Sequence, residues 1–256
     1  MSKKRWFLIG LVGVALWVGS ILCCLLVIQL GTESFSKEEL VNSSREAYHF
    51  DAEKVLSTRT GMNNIFTQIP FPKRFTDFPG TTVLWKQEEY LKIIDLFMKE
   101  VLQENRSTWE LKSMGGTRFC NDIGIGLPNF GIDLQKSIIL SEFNQRVELD
   151  ISLSPVTERV IVHRREYAPD EGGYQTIDWD DIRIPAEQAL LIAEENGGAV
   201  VRESLNDQCR ITISLTAGVQ GNDWWIYYEP LNQPSVFEIA IDEKTGKYRI
   251  LREFGK

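Results

Sequence analysis

The sequence predicts an α+β fold, in which an N-terminal transmembrane helix precedes an extracytoplasmic part built from helix-plus-antiparallel-sheet domains. Three observations support this prediction. Residues 6–30 form an apolar run without a charged side chain, residues 84–103 carry apolar side chains at spacings of three and four, and residues 147–154 alternate between apolar and polar. These patterns are typical of a membrane span, an amphipathic helix and a half-buried strand, respectively.

The apolar run is long enough to cross a membrane, because a helix rises about 1.5 Å per residue and the hydrocarbon core is about 30 Å thick. A basic cluster, Lys3 to Arg5, precedes the run, and basic residues stay on the cytoplasmic side. We therefore predict a cytoplasmic tail (1–5), a single-pass anchor (6–30) and an extracytoplasmic remainder. A cleaved signal peptide is the alternative, although its apolar core is typically shorter, about 7 to 15 residues.

The composition indicates a folded, acidic protein. Hydrophobic residues make up 43 % and charged residues 25 % of the chain, and the formal net charge is −8. This balance is typical of globular domains rather than of disordered chains. The negative charge argues against binding to nucleic acid and against electrostatic adhesion to anionic lipid.

Two of the four cysteines lie in the apolar run, and the other two are Cys120 and Cys209. Because compartments outside the cytoplasm often permit oxidation, these two are candidates for a disulfide. The alternative is a pair of unrelated buried thiols.

Residues 31–80 are predicted to be a connector with short helices. The segment from Ser36 to Glu39 matches a helix capping box and predicts a helix running toward Tyr48, and Asp51 is predicted to cap a second short helix. Three prolines then favour an extended strap along the domain: Pro70, Pro72 and Pro79.

Residues 81–170 are predicted to form an α+β region in which the helix at 84–103 precedes strands. Between helix and strands lies the glycine-rich segment SMGGTRFCNDIGIGLPNFG. It matches neither a dinucleotide fingerprint nor a phosphate loop, so irregular hairpin turns or close backbone approach explain its glycines better than a binding loop does.

Residues 178–256 are predicted to form a second α+β module. The helix of IPAEQALLIAEENGG is followed by strands in DWWIYYEP and FEIAIDEKTGKYRIL. These segments resemble the PepSY domain of bacterial envelope and secreted proteins, over roughly Asp181 to Glu253. The resemblance implies a non-catalytic module that binds or restrains another protein, often a peptidase. Residues 81–170 echo the same plan of a helix followed by strands.

The sequence offers no pattern that predicts catalysis or a cofactor. His49 and His163 are the only histidines, and they lack metal-ligand spacing. No serine lies in a G-x-S-x-G elbow, although the order of residues alone does not exclude a triad that uses His163. We therefore expect no enzyme activity, no metal and no cofactor.

Trp225 and Tyr227 are the candidate binding residues. On a strand they share one face, while Trp224, Ile226 and Tyr228 share the other. One face has to be core, and the other could present aromatic rings to a partner. Two functions follow. The first is an anchored interaction or regulatory protein of the bacterial envelope, with a peptidase or another envelope enzyme as the candidate partner. The alternative is an aromatic-lined binder of cell-wall glycan or a small ligand.

Overall fold

Ten antiparallel strands form one sheet in the computed structural model, which describes residues 40–57, 65–72, 80–140, 143–167, 175–218, 221–231 and 233–253. Their order across the sheet is β10-β9-β8-β7-β3-β4-β5-β6-β1-β2. The strands are β1 (Leu40–Phe50), β2 (Phe66–Ile69), β3 (Glu110–Phe119), β4 (Phe130–Leu140), β5 (Phe143–Ser154), β6 (Arg159–Tyr167), β7 (Cys209–Gly218), β8 (Gly221–Pro230), β9 (Phe237–Asp242) and β10 (Tyr248–Arg252).

Four α-helices accompany the sheet: α1 (Ala52–Ser57), α2 (Gln87–Phe97), α3 (Ala186–Ala193) and α4 (Ala199–Ser204). One wider π-type turn, Met98–Leu102, extends α2, and another, Glu194–Gly198, joins α3 to α4. Short 3-10 turns lie at Arg106–Thr108 and Trp179–Asp181.

The sheet consists of two halves with the same order of elements. In the first half α2 precedes the meander β3 to β6, and in the second half α3 and α4 precede the meander β7 to β10. The first strands of the two meanders, β3 and β7, pair antiparallel at the centre, with Gly115 opposite Ser214. The halves are therefore related by an approximate two-fold axis, and β6 and β10 are equivalent strands.

The helices of both halves pack on the same side of the sheet, which we call the helix face. In the first half Tyr90 stacks on Phe130 with ring centroids 5.2 Å apart, and Phe97 contacts Tyr48 at 5.0 Å. Burial of each such side chain stabilises the fold by about 1.5–3 kcal/mol. The helical spacing in the sequence brings these residues onto one side of α2.

The second half packs a helix of small residues against the sheet. Ala186, Ala189 and Ala193 are fully buried, so α3 can approach the strands closely. Trp224 is also fully buried, and its indole N–H donates to the Ile184 carbonyl at 2.8 Å. The turn between α3 and α4 includes Gly197 at φ 122°, a conformation that strongly favours glycine.

The predicted fold class is wrong. The described residues are mainly β-strand and form one continuous sheet, whereas the prediction was of separate helix-plus-sheet domains. In the described residues no helix has the length and apolar character that a membrane crossing requires, so the predicted transmembrane and signal-anchor character is not supported. The predicted anchor, residues 6–30, lies outside the described part of the chain.

The predicted helix running toward Tyr48 is also wrong, because Leu40–Phe50 is strand β1. A capping box is a local preference, whereas β1 pairs with β6 from Leu40 to His49, and this long-range pairing prevails. The short helix after Asp51 does form, and the Asp51 carboxylate accepts the N–H of Lys54 at 2.9 Å.

Candidate functional site

The side of the sheet opposite the helices, which we call the open face, carries a depression at its centre. Four small residues lie side by side on four adjacent strands at its floor: Ser214, Gly115, Gly131 and Ser152. We call this depression the central groove. Since neighbouring strands are about 4.8 Å apart, its floor spans about 14 Å across the sheet. Two overlapping cavities of about 450 and 430 Å³ share Gly115, Gly131 and Ser152.

The backbone explains why glycine lies at the centre of this floor. A Cβ atom on Gly115 would lie 2.0 Å from the Ile213 carbonyl oxygen on the neighbouring strand, so no larger residue fits there without moving β3 from β7. A Cβ atom on Gly131 would come no closer than 3.3 Å to another atom, the Ser152 hydroxyl oxygen, and would lie 3.5 Å from the Ile151 carbonyl oxygen. The first glycine is thus required by the joint between the halves, whereas the second leaves space open above the sheet.

Trp225 and Tyr227 lie at the β8 side of the central groove. Trp225 is directly opposite Ser214 and Tyr227 is opposite Thr212. Their rings are half-buried and nearly parallel, at an angle of 14° with centroids 6.4 Å apart. The Arg249 guanidinium lies 5.9 Å from the Trp225 ring. The two aromatic residues therefore lie on the strand next to the small-residue floor, and neither belongs to the lining of the two cavities.

A row of polar residues runs along the groove on one side: Thr216, Ser113, Asp133, Asp150 and His163 occupy successive strands in register. Burial raises the pKa of Asp133 to about 7, and the hydrogen bond and negative charge of Asp150 act in the same direction. A carboxyl group with such a pKa is partly protonated at neutral pH. The pair can then offer a ligand both a donor and an acceptor.

Ion pairs hold the acidic side of the groove in place. The Arg165 guanidinium lies 2.6 Å from an Asp150 carboxylate oxygen and 3.4 Å from Glu148, which is almost fully buried. Lys112 pairs with the same glutamate. Since these carboxylates have cationic partners, the neighbouring Asp133 is the acid whose charge is least compensated.

His163 also contacts a serine. Its Nε2 atom lies 2.9 Å from the Ser43 hydroxyl, and its Nδ1 atom lies 3.7 Å from Asp150. The second distance is too long for a hydrogen bond, and Arg165 already donates to Asp150. Burial, followed by the charges of Arg45 and Arg165, lowers the pKa of His163 and makes it a weaker base. These residues do not form an aligned proton relay.

Cys120 and Cys209 are joined in a disulfide with Cα atoms 5.2 Å apart. The bond links the end of β3 to the start of β7, and therefore ties the two halves together. Beside it, the buried guanidinium of Arg118 donates to the carbonyl oxygens of Asp122, Gly124 and Gly126 at 2.6–3.2 Å. These bonds fasten the loop after Cys120 and give that end of the joint a structural role.

The sequence alone indicated Trp225 and Tyr227 but missed the other parts of the site. Three glycines of the segment that was predicted to be irregular lie in regular strands: Gly115 and Gly116 within β3, and Gly131 within β4. Asp133 and Asp150 come together only through strand register. The alternation of polar and apolar residues in VELDISLS was the available signal that Asp150 belongs to an exposed face.

Comparisons with known proteins return no match to a family model, a curated protein or a solved structure. Nothing in them identifies a PepSY-like domain, so the PepSY-like assignment of residues 178–256 is not supported.

Proposed function

We propose that this protein is a non-catalytic, extracytoplasmic binding protein that holds a hydroxyl-rich ligand, such as a glycan, in the central groove. The observation that carries the proposal is the row of four small residues on an open sheet face, with Trp225 next to the row on strand β8. A side chain larger than serine at any of these positions would fill the space that a ligand needs.

The chemistry around the groove suits sugars. Aromatic rings offer apolar surface to the C–H faces of a sugar ring, and the Asp133–Asp150 pair with the Ser113 hydroxyl offers donors and acceptors to sugar hydroxyls. Polar groups of this kind fix orientation in a ligand site. The formal net charge of the chain, −8, disfavours an anionic ligand such as a nucleic acid.

A location outside the cytoplasm is supported by the disulfide, because such bonds persist mainly in oxidising compartments. The non-catalytic part of the proposal is supported by the geometry around His163, where the acid is not aligned with the histidine.

The proposal is tested by filling the groove. Gly131→Val adds a side chain above the floor, and Ser137→Val places valine on the same strand and the same face but outside the groove. The probes are chitotetraose and a panel of soluble cell-wall oligosaccharides, measured by titration calorimetry. We expect the wild type and Ser137→Val to bind at least one of them, and Gly131→Val to bind at least about tenfold more weakly.

Equal affinity of all three proteins would contradict the location of the site. Absence of binding by the wild type to every oligosaccharide at millimolar concentration would contradict the ligand class. Thermal melting of each variant separates loss of binding from loss of folding.

A protein-interaction role is the second candidate function. It is favoured by a different observation, the exposed apolar edge strand β10, on which Tyr248, Ile250 and Leu251 are 38–49 % exposed.

A further inference from the structure

The approximate two-fold axis makes the outer strands β6 and β10 equivalent, but their outer edges differ. In the first half β1 pairs antiparallel with β6 along almost the whole strand, from Leu40 opposite Tyr167 to His49 opposite Arg159. Within the described residues no strand pairs with the outer side of β10. In the described part of the chain, the second half thus has no counterpart of β1.

The added strand in the first half contributes to the core as well as to the sheet. Tyr48 of β1 contacts Phe97 of α2 on the helix face. A strand at the edge of β10 would occupy the equivalent place beside Tyr248 and Ile250, which lie on the helix face opposite Ile241 and Ile239. Both are exposed, at 49 % and 38 %, so the apolar surface that β1 covers in one half is uncovered in the other.

The backbone of β10 is ready to accept another strand. The Asp242 N–H donates to the Lys247 carbonyl at 2.9 Å, which places Lys247 inside the ladder with β9. Residues of an antiparallel strand alternate between inward and outward hydrogen-bonding groups, so those of Tyr248 and Ile250 point outward. The register shifts by one residue between Ile250 and Arg252, which places Arg252 on the same face as Arg249. An exposed edge with free backbone groups is a template for pairing with a further strand.

The side chains of β10 indicate the charge of a suitable strand. Arg249 and Arg252 are half-exposed while they pair with Asp223 and Glu238. Their outer sides can therefore contact further carboxylates. Two copies of β10 paired with each other would instead bring the arginines of both copies into one short ladder, and like charges opposite each other are destabilising.

We propose that β10 is a docking edge for an extended segment of a partner protein in which acidic and apolar residues alternate. The segment adds antiparallel to β10 in the way that β1 adds to β6. Its apolar side chains cover Tyr248 and Ile250 on the helix face, and its carboxylates contact Arg249 and Arg252. This inference does not rest on the glycan proposal, because no residue of β10 lines the two cavities of the central groove.

The test uses the full chain and a short synthetic peptide that alternates valine and glutamate. Its counterpart has lysine in place of each glutamate. Fluorescence anisotropy should give an affinity for the acidic peptide at least about tenfold higher than for the basic one. Ile250→Pro, which removes an outward N–H, should lower that affinity by at least about tenfold, whereas Ile123→Ser, which removes an exposed isoleucine far from the edge, should leave it unchanged.

The proposal is overturned if the wild type binds both peptides equally, binds neither, or binds equally well after the proline substitution. It is also overturned if sedimentation velocity shows a dimer that Ile250→Pro converts to a monomer, since the occupant would then be a second copy of the chain. Melting curves establish that the proline variant is folded, and Tyr248→Ser supplies a second edge variant in which the backbone is unaltered.

Discussion

The two halves of the sheet share one plan but differ in what each face presents. On the helix face the first half packs aromatic rings from α2, such as Tyr90 and Phe97, whereas the second half packs the alanines of α3. On the open face the first half carries the charged groups around Asp150, and the second half carries Trp225 with its aromatic neighbour.

The two faces of the sheet meet different requirements. The helix face is apolar in both halves and holds the core, so two quite different packings satisfy the same requirement. The open face differs in chemical character between the halves, and the central groove lies where the two characters meet, at the joint of β3 and β7. The joint makes a groove that neither half has alone.

The largest effect should distinguish the two faces within one strand. Trp224 is fully buried on the helix face, and Trp225 is half-buried on the open face. Trp224→Ala should lower the free energy of unfolding by about 5 kcal/mol, while Trp225→Ala should lower it by only about 1 kcal/mol. Urea unfolding measures both, and similar losses would show that the open face is part of the core.

The next effect concerns the covalent link between the halves. Cys120 and Cys209 are separated by 89 residues, and a cross-link closing a loop of that size stabilises a fold by about 4 kcal/mol in the chain-entropy model. The double variant with alanine at both positions should therefore unfold at a lower urea concentration. A midpoint like that of the wild type would mean that the bond does not restrain the unfolded chain.

The joint itself is tested by a pair of glycine substitutions. Gly115→Ala forces a Cβ atom against the Ile213 carbonyl and should cost about 3 kcal/mol through displacement of β3 from β7. Gly131→Ala brings a Cβ atom no closer than 3.3 Å to its nearest neighbour, the Ser152 hydroxyl oxygen, and should cost less than about 1 kcal/mol. Equal stability of the two variants would contradict the close approach of the halves.

The smallest effect is a pH dependence on the charged side of the groove. The pKa of Asp133 is about 7 in the folded protein, and its ordinary value is 3.8. At pH values between these two, the native state therefore binds more protons than the unfolded state. Stability should therefore fall as pH rises from about 4 to 7, and level off above that range.

Asp133→Asn removes this proton linkage. Between pH 5 and pH 8 the unfolding free energy of the wild type should therefore fall by on the order of 1 kcal/mol relative to that of the variant, after screening by solvent. Unfolding curves of the two proteins at several pH values measure this difference. A constant difference would show that Asp133 is ionised throughout, with Asp150 and Glu148 as neighbours too weakly coupled to matter.

The sequence predicted those features of the fold that depend on local pattern. Alternation located the strands that contain Ile151 and Ile213, and the spacing of apolar residues located α2, although α2 proper ends at Phe97. The turn after β9 was predicted as well, where the Asp242 carboxylate accepts the N–H groups of Lys244 and Thr245.

Features that depend on register between distant strands were beyond prediction. No local signal shows that β1 pairs with β6, and a capping box pointed the other way. The central groove requires Ser214, Gly115 and Ser152 to lie side by side, which follows only from three separate strand pairings. The joining of the two halves into one sheet also depends on a long-range pairing, that of β3 with β7.

Amide chemical-shift mapping during oligosaccharide titration tests most directly whether ligand binds across the joint of the two halves. We expect the largest shifts at Gly115, Gly131, Ser152 and Ser214, on four strands from both halves. Shifts confined to one half, or centred on the cavity around Arg106 and Trp179 on the other part of the surface, would contradict it.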